Sequence, residues 1–178
     1  DPEFFDVPLA GLLSDDYAAE RRALVDPAAA GTSPAAPGNP RPYSSTTHLV
    51  VSDRQGTVVS YTFTIESTGG NGIVVPGYGF LLNNELTDFN FTPSVNAFTG
   101  QPATNDVQPG KRPRSSMVPS MIFDKQGKPI IAYGSPGGAT IINSVLNVTL
   151  NLLDHKMTLQ DAINAPRLSV TSATSNVT

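Results

Sequence analysis

The spacing of apolar positions changes period along the chain and divides it into segments. Leu9, Leu12, Leu13, Tyr17, Ala18 and Leu24 recur at roughly helical spacing. This predicts helix over residues 8–25, with Ser14-Asp15-Asp16 offering an N-cap for a second helix. Residues 26–45 carry Pro, Ala, Gly and Ser without periodicity and read as a flexible linker. From 46 to 65 the pattern turns strand-like. Leu49 and Val51, then Val58, Ser60, Thr62 and Thr64, predict two strands joined by a turn at Asp53-Arg54-Gln55-Gly56. Residues 116–123 and 129–133 predict a second pair, turning at Asp124-Lys125-Gln126-Gly127.

Between the pairs, glycines at 69, 70, 72, 77 and 79 require the backbone to turn or to approach another segment closely. A short apolar run, Phe80-Leu81-Leu82, leads into the polar Asn83-Asn84-Glu85-Leu86-Thr87-Asp88. Residues 90–111 form a long Pro/Asn/Gly loop, of a length that is usually functional or disordered. Residues 139–153 predict a helix with Ile141, Ile142, Val145, Leu146, Val148 and Leu152 on its apolar side. Thr158 caps a short last helix, with Leu159, Ala162 and Ile163 inward, before Pro166. Helix, strand pair, strand pair, helix predicts an α+β fold with sheets packed between helical layers.

Composition sharpens this picture. With 178 residues the chain can bury one sizeable core. Its 15 glycines and 16 prolines favour turns and strands over a helical bundle. A net charge of −4 without a Lys/Arg cluster argues against nucleic acid as the main partner. No apolar stretch reaches the ~20 residues of a membrane span. The absence of cysteine excludes disulfides, thiolate chemistry and Cys-ligated metals, and fits an extracytoplasmic protein. No His/Asp/Glu cluster has metal-ligand spacing, so neither a catalytic metal nor a cofactor is expected. The chain begins at Asp1 without an initiator Met or a signal peptide, so it reads as a piece of something longer or a processed product. Residues 169–178 carry no end signal and read as a truncated C-terminus.

Candidate chemistry centres on Thr46-Thr47-His48, where two hydroxyls open a strand directly behind the Pro- and Ser-rich segment ending at Ser45. Cutting between Ser45 and Thr46 would give Thr46 a free α-amine beside its own Oγ. That amine, with a reference pKa of about 7.7–8.0, is matched to proton transfer at neutral pH and can serve as the base a weak hydroxyl nucleophile needs. Taken alone, Thr46 reads as a polar threonine at a strand edge.

Five motifs in order make the chain resemble the catalytic small subunit of γ-glutamyltranspeptidases. They are Thr46-Thr47-His48; Leu82-Asn83-Asn84-Glu85-Leu86-Thr87-Asp88-Phe89; Lys111-Arg112-Pro113-Arg114-Ser115-Ser116-Met117; Gly134-Ser135-Pro136-Gly137-Gly138; and Asn164-Ala165-Pro166-Arg167. Together the resemblance covers roughly residues 1–168. Ile65-Glu66 and Val75-Pro76-Gly77-Tyr78-Gly79 resemble the bacterial subgroup that includes poly-γ-glutamate capsule-processing relatives.

The resemblance implies an N-terminal nucleophile hydrolase, present here in part, with a four-layer α/β/β/α sandwich. It implies a precursor that cuts itself, with 1–45 the tail and linker of a large subunit and 46–178 the catalytic small subunit. The large subunit would be a partner, supplying an arginine for the substrate α-carboxylate. A periplasmic or secreted location follows by the same resemblance. The implied activity moves the γ-glutamyl group of glutathione-like amides to water or to amino acids and peptides, through a γ-glutamyl ester on Thr46.

In that reading Thr64 orients the nucleophile. Glu66, the next same-face position, contacts the substrate amine or the Thr46 amine, where many relatives have asparagine. Glu85 and Asp88 hold the α-ammonium, and Ser115 and Ser116 donate to the α-carboxylate. Gly137 and Gly138 form an oxyanion hole before a helix N-terminus, although a glycine pair there also makes a tight turn. Arg114 stands where relatives often have leucine. Phe98 falls near an aromatic lid position. His48 and His155 read as structural. Asn90, Asn147 and Asn176 begin Asn-x-Ser/Thr sequons, with Asn147 on a helix that looks buried. A cephalosporin or glutaryl acylase, a poly-γ-glutamate depolymerase and an inactive unprocessed chain remain alternatives.

Overall fold

A computed structural model describes residues 2–4, 6–23, 46–95 and 100–170, and the backbone of 175–177. The linker over 26–45 lies outside these residues, as do Ser45 and Phe98. Helices and antiparallel strands mix, as the α+β expectation requires. The chain divides into two compact units, one holding residues 1–34 and 86–114, the other 35–85 and 115–178.

The first unit opens with helices α1 (Leu9–Leu12) and α2 (Asp15–Ala23) rather than one helix over 8–25. The break falls at Ser14, whose Oγ accepts the Tyr17 N–H at 3.2 Å and caps α2. Asp15 and Asp16 in its first turn and Arg21 and Arg22 in its last match the helix dipole.

The described parts of this unit's long loop, residues 90–95 and 100–111, gather around Asp106. That side chain is only 3% exposed. Its carboxylate accepts from Asn90 Nδ2 at 2.7 Å, the Ser94 N–H at 2.9 Å and the Ala103 N–H at 3.1 Å. The same contacts, led by Asn90, hold its pKa below the ordinary carboxylate value against the opposing effect of desolvation.

In the second unit β1 (Thr47–Ser52) pairs antiparallel with β2 (Val58–Phe63), and β3 (Ser120–Phe123) with β4 (Pro129–Tyr133). One device builds both hairpins. Asp53 Oδ1 accepts the Gln55 and Thr57 N–H groups, and Asp124 Oδ1 accepts those of Gln126 and Lys128. β3 is shorter than the expected 116–123 because Pro119 has no N–H to offer a ladder. At Gly70 (φ 53°) an added Cβ would sit 2.0 Å from the Leu82 carbonyl oxygen, so the expected close approach is realised there.

Helix α3 (Ile141–Leu153) follows a 3₁₀ turn at Gly138–Thr140, two residues later than the sequence predicts. It starts late because Gly137 and Gly138 adopt φ of 140° and 54°, outside the helical region. Ile141 and Val145 are buried, whereas Ile142 and Leu146 are about half exposed. Burying a side chain such as Ile141 contributes about 1.5–3 kcal/mol. α4 (Leu159–Asn164) is capped by Thr158, which accepts the Asp161 N–H, and it buries Ala162. β5 (Leu168–Val170) pairs with β6 (Ser175–Val177). Asn147 on α3 uses both ends of its amide on the Leu168 backbone. His155 follows α3, its N–H donating to the Leu150 carbonyl.

The two faces of the β1–β2 hairpin differ. His48, Ser60 and Thr62 lie on one. On the other, Leu49, Val51, Val59, Tyr61 and Phe63 are all exposed, the last two stacked at 5.3 Å. No helix among the described residues is long and apolar enough to cross a membrane.

Candidate active site

Register places the central pair. Thr47 opposes Phe63 and His48 opposes Thr62, so the next rung outward sets Thr46 against Thr64. Thr46 Oγ1 donates to Thr64 Oγ1 at 3.1 Å. Thr64 Oγ1 also accepts the Glu66 N–H at 2.9 Å. Thr46, Thr64 and Glu66 are each half-buried.

Glu66 differs from its expected placement. The strand ends at Phe63, and Glu66 takes φ 68° instead of continuing the alternation. A left-handed conformation costs a residue with a Cβ roughly 1–2 kcal/mol. It persists because local bonds fix it. Ser67 Oγ and Asn84 Nδ2 both donate to Glu66 Oε2, and Asn84 Oδ1 accepts the Ser67 N–H at 3.0 Å. Ser67 and Asn84 had no role in the sequence reading. The available signal was the amide pair Asn83-Asn84 in the second motif.

His48 links this hairpin to the glycine loop. Its Nδ1 lies 2.8 Å from Thr62 Oγ1 and its Nε2 3.4 Å from Ser60 Oγ. Ser60 Oγ donates to the Tyr133 carbonyl at 3.2 Å, and the ring packs on Gly134. Partial burial lowers the imidazole pKa, which favours the neutral ring.

Beyond Gly134 the chain runs through Ser135 and Pro136 to Gly137 and Gly138. Their positive φ values fit glycine and let the backbone turn its N–H groups in directions other residues cannot. Thr140 Oγ1 donates to the Gly137 carbonyl at 2.9 Å and fixes the turn.

Glu85 and Asp88 stand at the two ends of one 3₁₀ turn, both half-buried. Ser115 is exposed and Ser116 half-buried, in extended chain ahead of β3 and not at a strand start as expected, again because of Pro119. Arg114 is exposed. Asp88 belongs to the first unit; Thr46, Thr64, Glu66, Glu85, Ser115, Ser116, Gly137 and Gly138 belong to the second. Among the described residues no three His, Asp or Glu side chains gather as a metal site would need.

The sequence profile of the gamma-glutamyltranspeptidase family matches residues 1–178. The chain is 45% identical over 193 residues to the glutathione hydrolase proenzyme of Bacillus subtilis subsp. natto, across 98% of this chain and 31% of that protein. It is 39% identical over 170 residues to the acylase ACY 1 proenzyme of Pseudomonas sp. strain SE83, across 94% of this chain and 28% of that one. Among solved structures it is similar to the gamma-glutamyltranspeptidase from Pseudomonas nitroreducens complexed with L-DON, with a TM-score of 0.61 and 39% identity over 70% of this chain and 65% of that one. The chain spans about a third of the length of these curated relatives.

Proposed function

Because this chain belongs to the gamma-glutamyltranspeptidase family, we propose that it carries the catalytic small-subunit region of a γ-glutamyltransferase/hydrolase acting on glutathione-like amides. Residues 1–45 are then the tail of the large subunit and 46–178 the small one. The observation that carries the reading is the Thr46–Thr64 hydrogen bond, which orients a strand-end hydroxyl through a second, fixed hydroxyl.

The chemistry runs in two stages. Thr46 Oγ attacks the Ser45 carbonyl carbon and the peptide C–N bond breaks, leaving an ester and a Thr46 amine. Water opens the ester. The freed amine then takes the Oγ proton as Oγ attacks the γ-carbonyl of the donor, and that proton leaves with the departing amine. Water or an acceptor amine resolves the γ-glutamyl ester. Gly137 and Gly138 supply N–H groups to the oxyanion. Glu85, Asp88 and Glu66 meet the α-ammonium, and Ser115 and Ser116 meet the α-carboxylate. The anchored Glu66 carboxylate supports its part in this set.

The exposed apolar face of the β1–β2 hairpin supports a further layer packing there, completing the four-layer α/β/β/α sandwich with the large subunit. A periplasmic or secreted location belongs to the same proposal. Similarity to the acylase favours a second reading, in which the pocket takes a glutaryl or cephalosporin side chain.

The test is a gel paired with an assay on the protein carrying this chain. Wild type should give two bands and release aniline from a γ-glutamyl anilide; Thr46→Ala should give one band and no release. Two bands from Thr46→Ala would rule out self-cleavage by this hydroxyl.

A further inference from the structure

The amide of Asn105 works at both ends. Its Nδ2 donates to the Asp88 carbonyl at 2.7 Å, and its Oδ1 accepts the Arg114 N–H at 3.0 Å. Its own carbonyl accepts the Asn90 N–H at 3.0 Å. Next to it, buried Asp106 gathers Asn90, Ser94 and Ala103, and Lys111 Nζ donates to the Asp106 carbonyl at 2.9 Å. Asn105 therefore sits on a braced segment, and all of these residues lie in one compact unit.

We propose that Asn105 is a positioning residue for recognition of the glutamyl α-ammonium. It fixes the main chain of Asp88 against that of Arg114 within one compact unit. The proposal rests on the assignment of Asp88 to the α-ammonium. A carboxylate that meets that group must be held to within about 0.5 Å. Asparagine suits the task because one short side chain carries a donor and an acceptor. An ionised aspartate keeps only the acceptor, and alanine keeps neither.

The experiment compares kcat/KM for γ-glutamyl anilide and glutaryl anilide in the protein carrying this chain. The second substrate keeps the carboxylate and the scissile bond but lacks the ammonium. Wild type should prefer the glutamyl substrate. Asn105→Ala should lower its kcat/KM about 10- to 100-fold, mainly through KM, while glutaryl turnover and self-cleavage hold, so that the preference collapses. Asn105→Asp, which keeps size and acceptor, should lose preference in the same direction, and it is the variant to read should the alanine protein not fold. Equal losses on both substrates, or an unchanged preference, would overturn the proposal while leaving the assignment of Asp88 in place. A wild type without preference would overturn that assignment, and the proposal with it.

Discussion

A Cβ atom added to Gly134 would lie 2.3 Å from Nδ1 of His48 and 2.4 Å from its Cε1. The strand that begins beside Thr46 and the loop that leads to Gly137 and Gly138 therefore meet through an imidazole with no slack. His48 stands on β1 two residues from Thr46, so it shares that residue's face of the hairpin. The proposed nucleophile and the proposed oxyanion loop thus share one spacer. The backbone of Gly134 lies outside the left-handed region, so space alone reserves this position for glycine.

Gly134→Ala should destabilise the protein by about 1–3 kcal/mol, the usual cost of overpacking, and slow self-cleavage. Adding His48→Ala should restore much of the stability without restoring the cleavage rate, because the spacer is then gone. Urea midpoints and a cleavage time course measure the two effects separately. Additive losses in the double variant would show that the ring and the glycine do not compete for space.

Acidification should weaken the same contact. Burial lowers the His48 pKa from the ordinary 6.5, so the unfolded chain takes up the proton more readily than the folded one. The stabilisation is complete above pH 6.5 and is lost as pH falls through the folded value. His48→Gln removes the titration. Urea midpoints of wild type and variant should therefore run parallel above pH 6.5 and converge below it, wild type falling faster. Parallel curves down to about pH 5 would contradict this.

Asp106→Ala should loosen residues 90–95 and 100–111. Removing the carboxylate leaves Asn90 Nδ2 and the Ser94 and Ala103 N–H groups without their acceptor. Limited proteolysis should then cut within the loop faster than in wild type. Wild type itself should keep the loop protected until pH falls below 3.8, because the depressed Asp106 pKa contributes stability above that value and loses it on protonation. Equal cleavage rates in both proteins would mean that the loop holds together without this side chain.

Local chemistry was the legible part of the sequence. Asp53 and Asp124 stand before Gln and Gly in matching order, and each makes the turn that its spacing predicts. The cap at Thr158 was equally readable. The Thr46–Thr64 pairing came from the family resemblance, and the observed hairpin register brings the two residues opposite one another. Strand ends were less readable. Pro119 shortens β3 through its missing N–H, and Glu66 leaves β2 because Asn84, far along the chain, captures its carboxylate. Such captures carry no local pattern. The same holds for Asp106 and Asn105, which sit in a stretch that reads as a long Pro/Asn/Gly loop and act through bonds to residues up to 17 positions away. His48 reads as structural from the sequence, but its packing on Gly134 depends on how two hairpins meet.

The Asp53 turn lies at the far end of the hairpin from Thr46, about 20 Å away at the usual rise per strand residue. Yet it decides which side chain faces that hydroxyl. Adding one residue within 54–56 could leave both strands folded while offering Thr46 the wrong neighbour. A lesion so distant from the reacting atoms would resemble the loss of the nucleophile itself.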